Sequence, residues 1–432
     1  MVFIKKAAKT VRNHWKKSIF FSSVAVYGTI YLRNYMETQE LMRSYCEKAA
    51  KYGKKPLPIH LKPRHVTVIL NPNANKRKAN KEFDKYCAPL LHLAGISVEI
   101  RKTESEGHAK TLVEELTGTD ALVIAGGDGT LSEVITGLMR RNDDRDNGVP
   151  IGVLPLGRTN SFAKIQFPWR KKTEKVKALA ESTMAVIEES IRPLDVMKIE
   201  VISSENSTEE DSKEAGKPVY AVSSLKWGAY RDAEAKKDNY WVFGPFRNYA
   251  TYVFNGLKSK LSWNCEAQIS YSPPCDGCSN CFKRTDSSSN GGGFFSKFAK
   301  PDPLQFSKLS VNNPECSVSR EKTVRTADLS LTTLNSAPET ATSPAKLLMR
   351  IGPDSVAYLD FVRNGFRLEK GENSDVTEVI EAKTVDIRPE NAKQSAWFSI
   401  DSEDFEVRPV KVTLLPRIIR VFCKKESASA CA

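Results

Sequence analysis

From His65 onward the chain alternates short apolar runs with longer stretches whose apolar residues recur every three or four positions. The runs at 65–70, 96–101, 120–125 and 149–154 predict strands, and 120–125 reads as a buried parallel one. The stretches near 78–94, 107–117, 130–141 and 173–190 predict helices between them. Strand and helix in alternation imply a parallel sheet with helices on both faces. Past Arg192 the pattern changes to short segments of β character at 217–225, 263–271, 346–351, 357–362, 396–400 and 411–415, which predict an antiparallel, β-rich second domain. A helix near 245–258 interrupts them, with Phe246, Tyr249, Val253 and Leu257 on a stripe expected to face the core. Ser-, Glu- and Gly-rich insertions near 203–216 and 284–326 are expected to be loops. The organisation that follows is a segment 1–35, a helical linker 36–62, an α/β domain 63–191, a β-rich domain 192–423 and a tail 424–432.

The first 35 residues follow neither pattern. Ile4, Ala8, Val11 and Trp15 lie at helical spacing among Lys5, Lys6, Lys9, Arg12 and Lys16, and no acidic residue precedes Glu37. Ser18 to Leu32 then runs uncharged. As a helix this run is about 22 Å long against a hydrocarbon core of about 30 Å, a gap that Lys16, Lys17 and Arg33 would bridge by snorkelling. A basic, acid-poor start joined to an apolar run is the pattern of a mitochondrial signal-anchor. A helix lying in the membrane plane is the competing reading. Residues 1–64 hold 14 Lys or Arg against 3 Glu, so +11 of the net +13 lies there. The folded body therefore carries no charge excess that calls for a nucleic-acid groove, and no nucleic-acid partner is expected.

Chemistry concentrates at Ala125-Gly126-Gly127-Asp128-Gly129-Thr130, placed between a strand and a helix without a gap. Such a turn collects backbone N–H groups at the positive end of a helix, which suits a phosphate. Gly126, Gly127 and Gly129 let the backbone come close to a ligand, and Asp128 sets a carboxylate within the turn. Asn71-Pro72 and Gly157-Arg158-Thr159-Asn160 also follow expected strands, so all three segments converge at the carboxyl edge of one sheet.

These segments resemble the motifs of the diacylglycerol kinase catalytic family. The glycine turn is shared with sphingosine, ceramide and NAD kinases and with phosphofructokinase relatives. Val66–Pro72 is similar to the family's first nucleotide motif, Pro155–Asn160 to its third, and Ile400-Asp401-Ser402-Glu403 stands where the family has Asp-Gly-Glu. Leu225–Ala233 and Pro409–Arg417 resemble the acylglycerol kinase branch of that family. Three departures stand out: Asn73–Lys78 lacks the glycines usual after Asn-Pro, Arg158 replaces a Thr, and Ser402 replaces a glycine.

The resemblance implies a membrane-anchored kinase using ATP and Mg2+ to phosphorylate mono- and diacylglycerol to lysophosphatidic and phosphatidic acid. On it, the α/β domain binds nucleotide through Asn71, Gly126, Gly127, Gly129, Thr130, Gly157, Arg158, Thr159 and Asn160, and the β-rich domain takes the lipid. Asp128 orients the phosphates and metal or takes the substrate proton. Glu403, assisted by Asp401, is the rival base. The resemblance also implies the mitochondrial inner membrane, facing the intermembrane space, and association with the inner-membrane carrier-protein translocase. A membrane scaffold and a sphingosine or ceramide kinase are the alternatives. Cys265, Cys275, Cys278 and Cys281 form a cluster for which metal ligation, disulfides and separate thiols all remain open. Cys46, Cys87, Cys316, Cys423 and Cys431 suggest no partner.

Overall fold

The computed structural model describes residues 15–424 except 59, 61, 142–147, 203–216, 259–264, 276–277, 279–312, 337–344 and 391–396. The expected loop 203–216 and Cys281 therefore lie outside the described residues, as do residues 1–14.

Helix α1 (Trp15–Gly53) joins the apolar run and the expected connecting helix into one rod. Its second half is held: Ala49 is fully buried, Met42, Tyr45, Cys46 and Tyr52 pack on the core, and the Tyr45 hydroxyl donates to Glu181 at 3.4 Å. Its first half is not, and Ile19, Phe20, Phe21, Val24, Tyr27, Ile30 and Tyr31 all stand exposed. No helix among the described residues is long and apolar enough to cross a membrane.

The parallel half of the first sheet is built from β1 (His65–Leu70), β2 (Ser97–Lys102), β3 (Ala121–Gly126) and β4 (Ile151–Pro155), in the order β2-β1-β3-β4. Every residue of β3 is buried, because helices cover both its faces. Between the strands run α2 (Ala79–Tyr86), α3 (Ala88–Leu93), α4 (His108–Glu114), α5 (Asp128–Arg140), α6 (Ser161–Gln166) and α7 (Lys172–Ile187). The single helix expected over 78–94 is two, broken at Cys87 where Pro89 enters the next first turn.

The same sheet then continues in antiparallel sense. β5 (Ile191–Val201) pairs with the 13-residue β16 (Val410–Phe422), whose far end lies beside β4 at Val421 and Ile151. The order extends from β16 to β13 (Thr384–Glu390), β8 (Cys265–Ser272) and the edge strand β9 (Arg320–Thr326), while β6 (Val219–Ala221) pairs with β5. A second, antiparallel sheet holds β7 (Ser224–Gly228), β10 (Asp328–Thr333), β11 (Leu347–Ile351), β12 (Glu378–Ala382), β14 (Trp397–Ile400) and β15 (Glu403–Glu406). Leu225, Trp227, Leu331 and Phe398 of this sheet pack with Ile269, Ile387 and Val412 of the first, forming the core of a sandwich.

Three expectations need correction. Residues 357–362 are not a strand but open α10 (Tyr358–Glu369), because Phe361, Asn364 and Gly365 repeat at helical spacing and bury together. Residues 320–326 are not loop but strand β9. Only Val324 and Thr326 of it are buried, so its polar sequence hid an edge strand. In α9 (Arg247–Lys258) the buried residues are Ala250, Thr251, Tyr252, Asn255 and Gly256, packed toward α10, where a Cβ on Gly365 would stand 2.3 Å from the Tyr252 ring. The expected stripe is only half covered: Tyr249 packs edge-on against Phe366 and Val253 is half-buried, whereas Phe246 and Leu257 stand 70% and 65% exposed.

Candidate active site

The ends of β1, β3 and β4 meet as expected. The Asn71 side-chain amide donates to the Thr130 hydroxyl at 3.3 Å, tying the loop after β1 to the first turn of α5. The Asn160 side chain closes the loop after β4 on itself, accepting from the Gly157 N–H at 2.9 Å and donating to its carbonyl at 2.8 Å. That loop lies directly on the glycine turn. The Asp128 N–H donates to the Thr159 carbonyl at 3.1 Å, and a Cβ on Gly157 would stand 2.2 Å from Gly127 Cα. No side chain fits there, so Gly127 and Gly157 are required by contact rather than by backbone angle.

The loop after Asn71 keeps its turn without glycines. Asn75, Lys76 and Arg77 all adopt left-handed conformations, at φ 51°, 56° and 63°. Such angles cost about 1–2 kcal/mol for residues bearing a Cβ. Lys76, Arg77 and Lys78 point into solvent here.

Asp128 is buried and its carboxylate accepts from the Ser161 N–H at 2.8 Å and the Phe162 N–H at 3.3 Å, holding the first turn of α6. Burial pushes its pKa up, while those two hydrogen bonds and the Lys226 charge oppose the rise. Glu133, one turn along α5, accepts from the Ala109 N–H at 3.1 Å and caps α4.

The opposite wall comes from the two-residue turn between β14 and β15. Ile400 pairs with Glu403, and between them Asp401 and Ser402 take φ 47° and 73°, the left-handed pair of a tight hairpin. The family's glycine at the second position answers that geometry, and this chain holds it with serine. The Asp401 carboxylate is occupied: it accepts from the Val222, Ser223 and Ser224 N–H groups at 2.7, 2.9 and 2.8 Å. Burial raises its pKa to about 6 against the pull of those amides. Glu403 reaches across to the glycine turn, where a Cβ on Gly129 would stand 2.5 Å from its Oε1. Burial, and then the neighbouring Glu133, Glu106, Asp401 and Asp128, push the Glu403 carboxyl up to about 7.

Two cavities flank this meeting point. One of about 440 Å3 runs between Asp128, Phe162 and Ile165 on one side and Lys226, Leu348 and Asp401 on the other. The second, of about 220 Å3, is lined by ion pairs, with Arg158, Arg231, Lys237 and Arg247 set among Glu234, Asp238 and Asp404. Arg158 spans it to Asp238 at 2.5 Å, and buried Arg231 pairs with Asp404 and Asp232. Lys226 lies in the Leu225–Ala233 segment, where the alternation of β7 sets it on the face opposite Leu225 and Trp227; Lys237 and Arg247 are cleft residues that the motifs do not contain.

A glycine turn for phosphates, a carboxylate set against it from another sheet, and a partly apolar cavity between them serve phosphoryl transfer to a weakly acidic, apolar acceptor. Such a cleft places the protein among the lipid kinases. Residues 65–199 match the diacylglycerol kinase catalytic domain, and residues 222–431 match the acylglycerol kinase C-terminal domain. The chain is 35% identical to the mitochondrial acylglycerol kinase of Homo sapiens, over 96% of each chain. It is 33% identical to that of Xenopus laevis, over 98% of this chain and 96% of the other. Sphingosine kinase 1 of Homo sapiens is similar over less, 31% identical across 44% of this chain and 48% of its own. A diacylglycerol kinase structure from Bacillus anthracis shares the fold, with a TM-score of 0.50 at 15% identity over 84% of this chain and 98% of that one. The chain belongs to the acylglycerol kinase family.

Proposed function

We propose that the protein transfers the γ-phosphoryl group of ATP to the hydroxyl of mono- and diacylglycerol, yielding lysophosphatidic and phosphatidic acid. The observation that carries this reading is Glu403, set against Gly129 at the first turn of α5, with a carboxyl pKa of about 7. The substrate O–H gives its proton to that carboxylate while its oxygen bonds to the γ-phosphorus and the bond to the bridging oxygen breaks, leaving ADP. A carboxylate near neutrality can both accept that proton and release it. Residues 63–191 would serve the nucleotide and 192–423 the lipid, with Gly126–Thr130 and Gly157–Asn160 around the phosphates. Asp401, committed to three backbone amides, positions the hairpin that carries Glu403.

Mg2+ fits this donor set, because it takes hard oxygen ligands and Asp128 keeps acceptor capacity beyond its two amide bonds. Bound there, the ion would offset charge on the transferring phosphates. Lys226 in the larger cavity and Arg158 and Arg247 in the smaller one are cations within the cleft, held by Glu234 and by Asp238.

A lipid surface is served by two apolar features. Trp241, Val242, Phe243 and Phe246 are exposed on the segment between Asp238 and Arg247 of the smaller cavity, and the first half of α1 is exposed along its length. We place the protein at the mitochondrial inner membrane, facing the intermembrane space. The exposed half of α1 also suits a second role, contact with membrane helices of the carrier-protein translocase, and the two roles are compatible. The test is transfer from labelled ATP to monooleoylglycerol, diacylglycerol and sphingosine in mixed micelles containing Mg2+. Labelled acylglycerol from the wild type, lost in folded Asp128→Asn and Glu403→Gln, is expected. A folded wild type that labels none of the three lipids overturns the kinase reading and leaves the scaffold, and label on sphingosine alone shifts the substrate.

A further inference from the structure

The sulfur atoms of Cys275, Cys278 and Cys316 lie within 4.8 Å of one another, and no part of the phosphoryl-transfer cleft includes them. Cys278 is 1% exposed and Cys316 8%. We propose that these three thiolates hold a zinc ion at three corners of a tetrahedral site, with water at the fourth. In a tetrahedral thiolate site with Zn–S bonds of about 2.3 Å, the sulfurs stand about 3.8 Å apart, a spacing the cluster accommodates. Cys275 and Cys278 supply the two-residue gap usual for a pair of ligands on one turn. Cys316 arrives from a different segment, the short 3-10 turn Pro314–Ser317, whose entry is fixed by the Asn313 side chain accepting from the Glu315 N–H at 3.1 Å. Cys265, which the sequence suggested as a fourth ligand, is not in the cluster. It sits at the opposite end of β8, paired with Thr326.

The position explains what a metal would do. Cys275 follows the end of β8 and Cys316 precedes the start of β9, where Tyr271 pairs with Arg320. The cluster therefore closes the open end of an antiparallel pair whose outer member is a sheet edge. A crosslink there holds β9 in register and fixes the ends of the intervening insertion, at a loop-closure cost that the metal–sulfur bonds offset. On binding, each thiol gives up its proton and its sulfur lone pair bonds to Zn2+; nothing is oxidised. The site stands apart from the kinase reading, and either could fail without the other.

The test uses the full chain purified in the absence of chelator, with metal content read by plasma mass spectrometry. One zinc per chain is expected, falling below one-tenth in Cys278→Ser and in Cys316→Ser, with Cys265→Ser unchanged. Should the first two variants not fold, wild type reduced, stripped and loaded with Co2+ supplies the second readout. Thiolate-to-cobalt charge-transfer absorption and the intense visible bands of a tetrahedral site are expected, and both should vanish on adding one equivalent of Zn2+. Wild type that carries no zinc and gives no such bands with Co2+ overturns the proposal. So does a peptide map of the unreduced protein that links any two of the three cysteines by a disulfide, or undiminished zinc in a folded Cys278→Ser.

Discussion

Substituting Gly129 by alanine separates catalysis from stability at a single methyl group. The added Cβ would lie 2.5 Å from Glu403 Oε1, with the Glu403 Cδ at 3.5 Å, whereas ordinary contact begins at 3.4 Å. Only the carboxylate tip is in the way, so the tip must retreat by about 0.9 Å while the rest of the side chain and the helix stay in place. Alanine in the first turn of α5 favours helix by at most about 1 kcal/mol over glycine, which offsets the cost of turning a side-chain torsion. Stability should therefore change by less than about 1 kcal/mol in either direction, or a few degrees in Tm for a protein of this size. Activity should not be spared, because a displacement of about 1 Å in a reacting group costs on the order of 100-fold. The measurement pairs thermal melting with steady-state transfer to monooleoylglycerol. We expect kcat down 30- to 100-fold, as an order of magnitude, with KM for ATP within about threefold. Unchanged kcat in a folded Gly129→Ala would refute the placement of Glu403 as the base. A Tm loss of ten degrees or more would show that the contact supports the fold instead.

Four further outcomes follow from the same cleft. Wild-type kcat/KM should rise with pH through about 7, because Glu403 must be ionised to take a proton; Glu403→Gln should flatten that limb and lower kcat by 100-fold or more. Glu403 has a folded pKa above its ordinary value, so its stabilising contribution is present at low pH and is lost as pH rises from about 4.5 to 7; Glu403→Gln should therefore raise Tm more at pH 8 than at pH 5, read by calorimetry. Asp401→Ala strips three backbone N–H groups of their acceptor and should cost about 3 kcal/mol or more by denaturant unfolding, with Asp401→Asn milder because its carbonyl still accepts. Ser402→Gly relieves a left-handed residue at φ 73° and should raise stability by up to about 1 kcal/mol without lowering kcat.

The parallel half of the fold was legible because its inner strands are buried on both faces, so apolar runs mark them directly, as in the wholly buried β3, whereas the edge strand β2 buries none of its residues. The β-rich half was less so. Tyr358–Val362 has the residues of a strand, and only the burial of Phe361 with Gly365 against Tyr252 reveals a helix. The edge strand β9 read as loop because a strand with two buried residues has little to hide from water. The glycine turn, Asn71 and Asn160 meet at the strand ends where their motifs fall. The task of Asp401 was not readable, since its amide partners at 222–224 lie far off in sequence, and the same distance concealed Cys316 from Cys275 and Cys278.

The path of β16 has a consequence for how the protein is made. This strand, at residues 410–422, inserts between β4 and β13 in the middle of the first sheet, and its Phe422 enters the same core as Val66 and Val123. The first sheet therefore lacks this neighbour for β4 until residues 410–422 have emerged from the ribosome. A chain stopped early, even hundreds of residues past its phosphate loops, exposes an apolar interior strand as an edge. Nonsense alleles and proteolytic clipping near residue 410 should thus behave as loss of the whole protein, with the truncated product cleared or aggregated and no working half left behind.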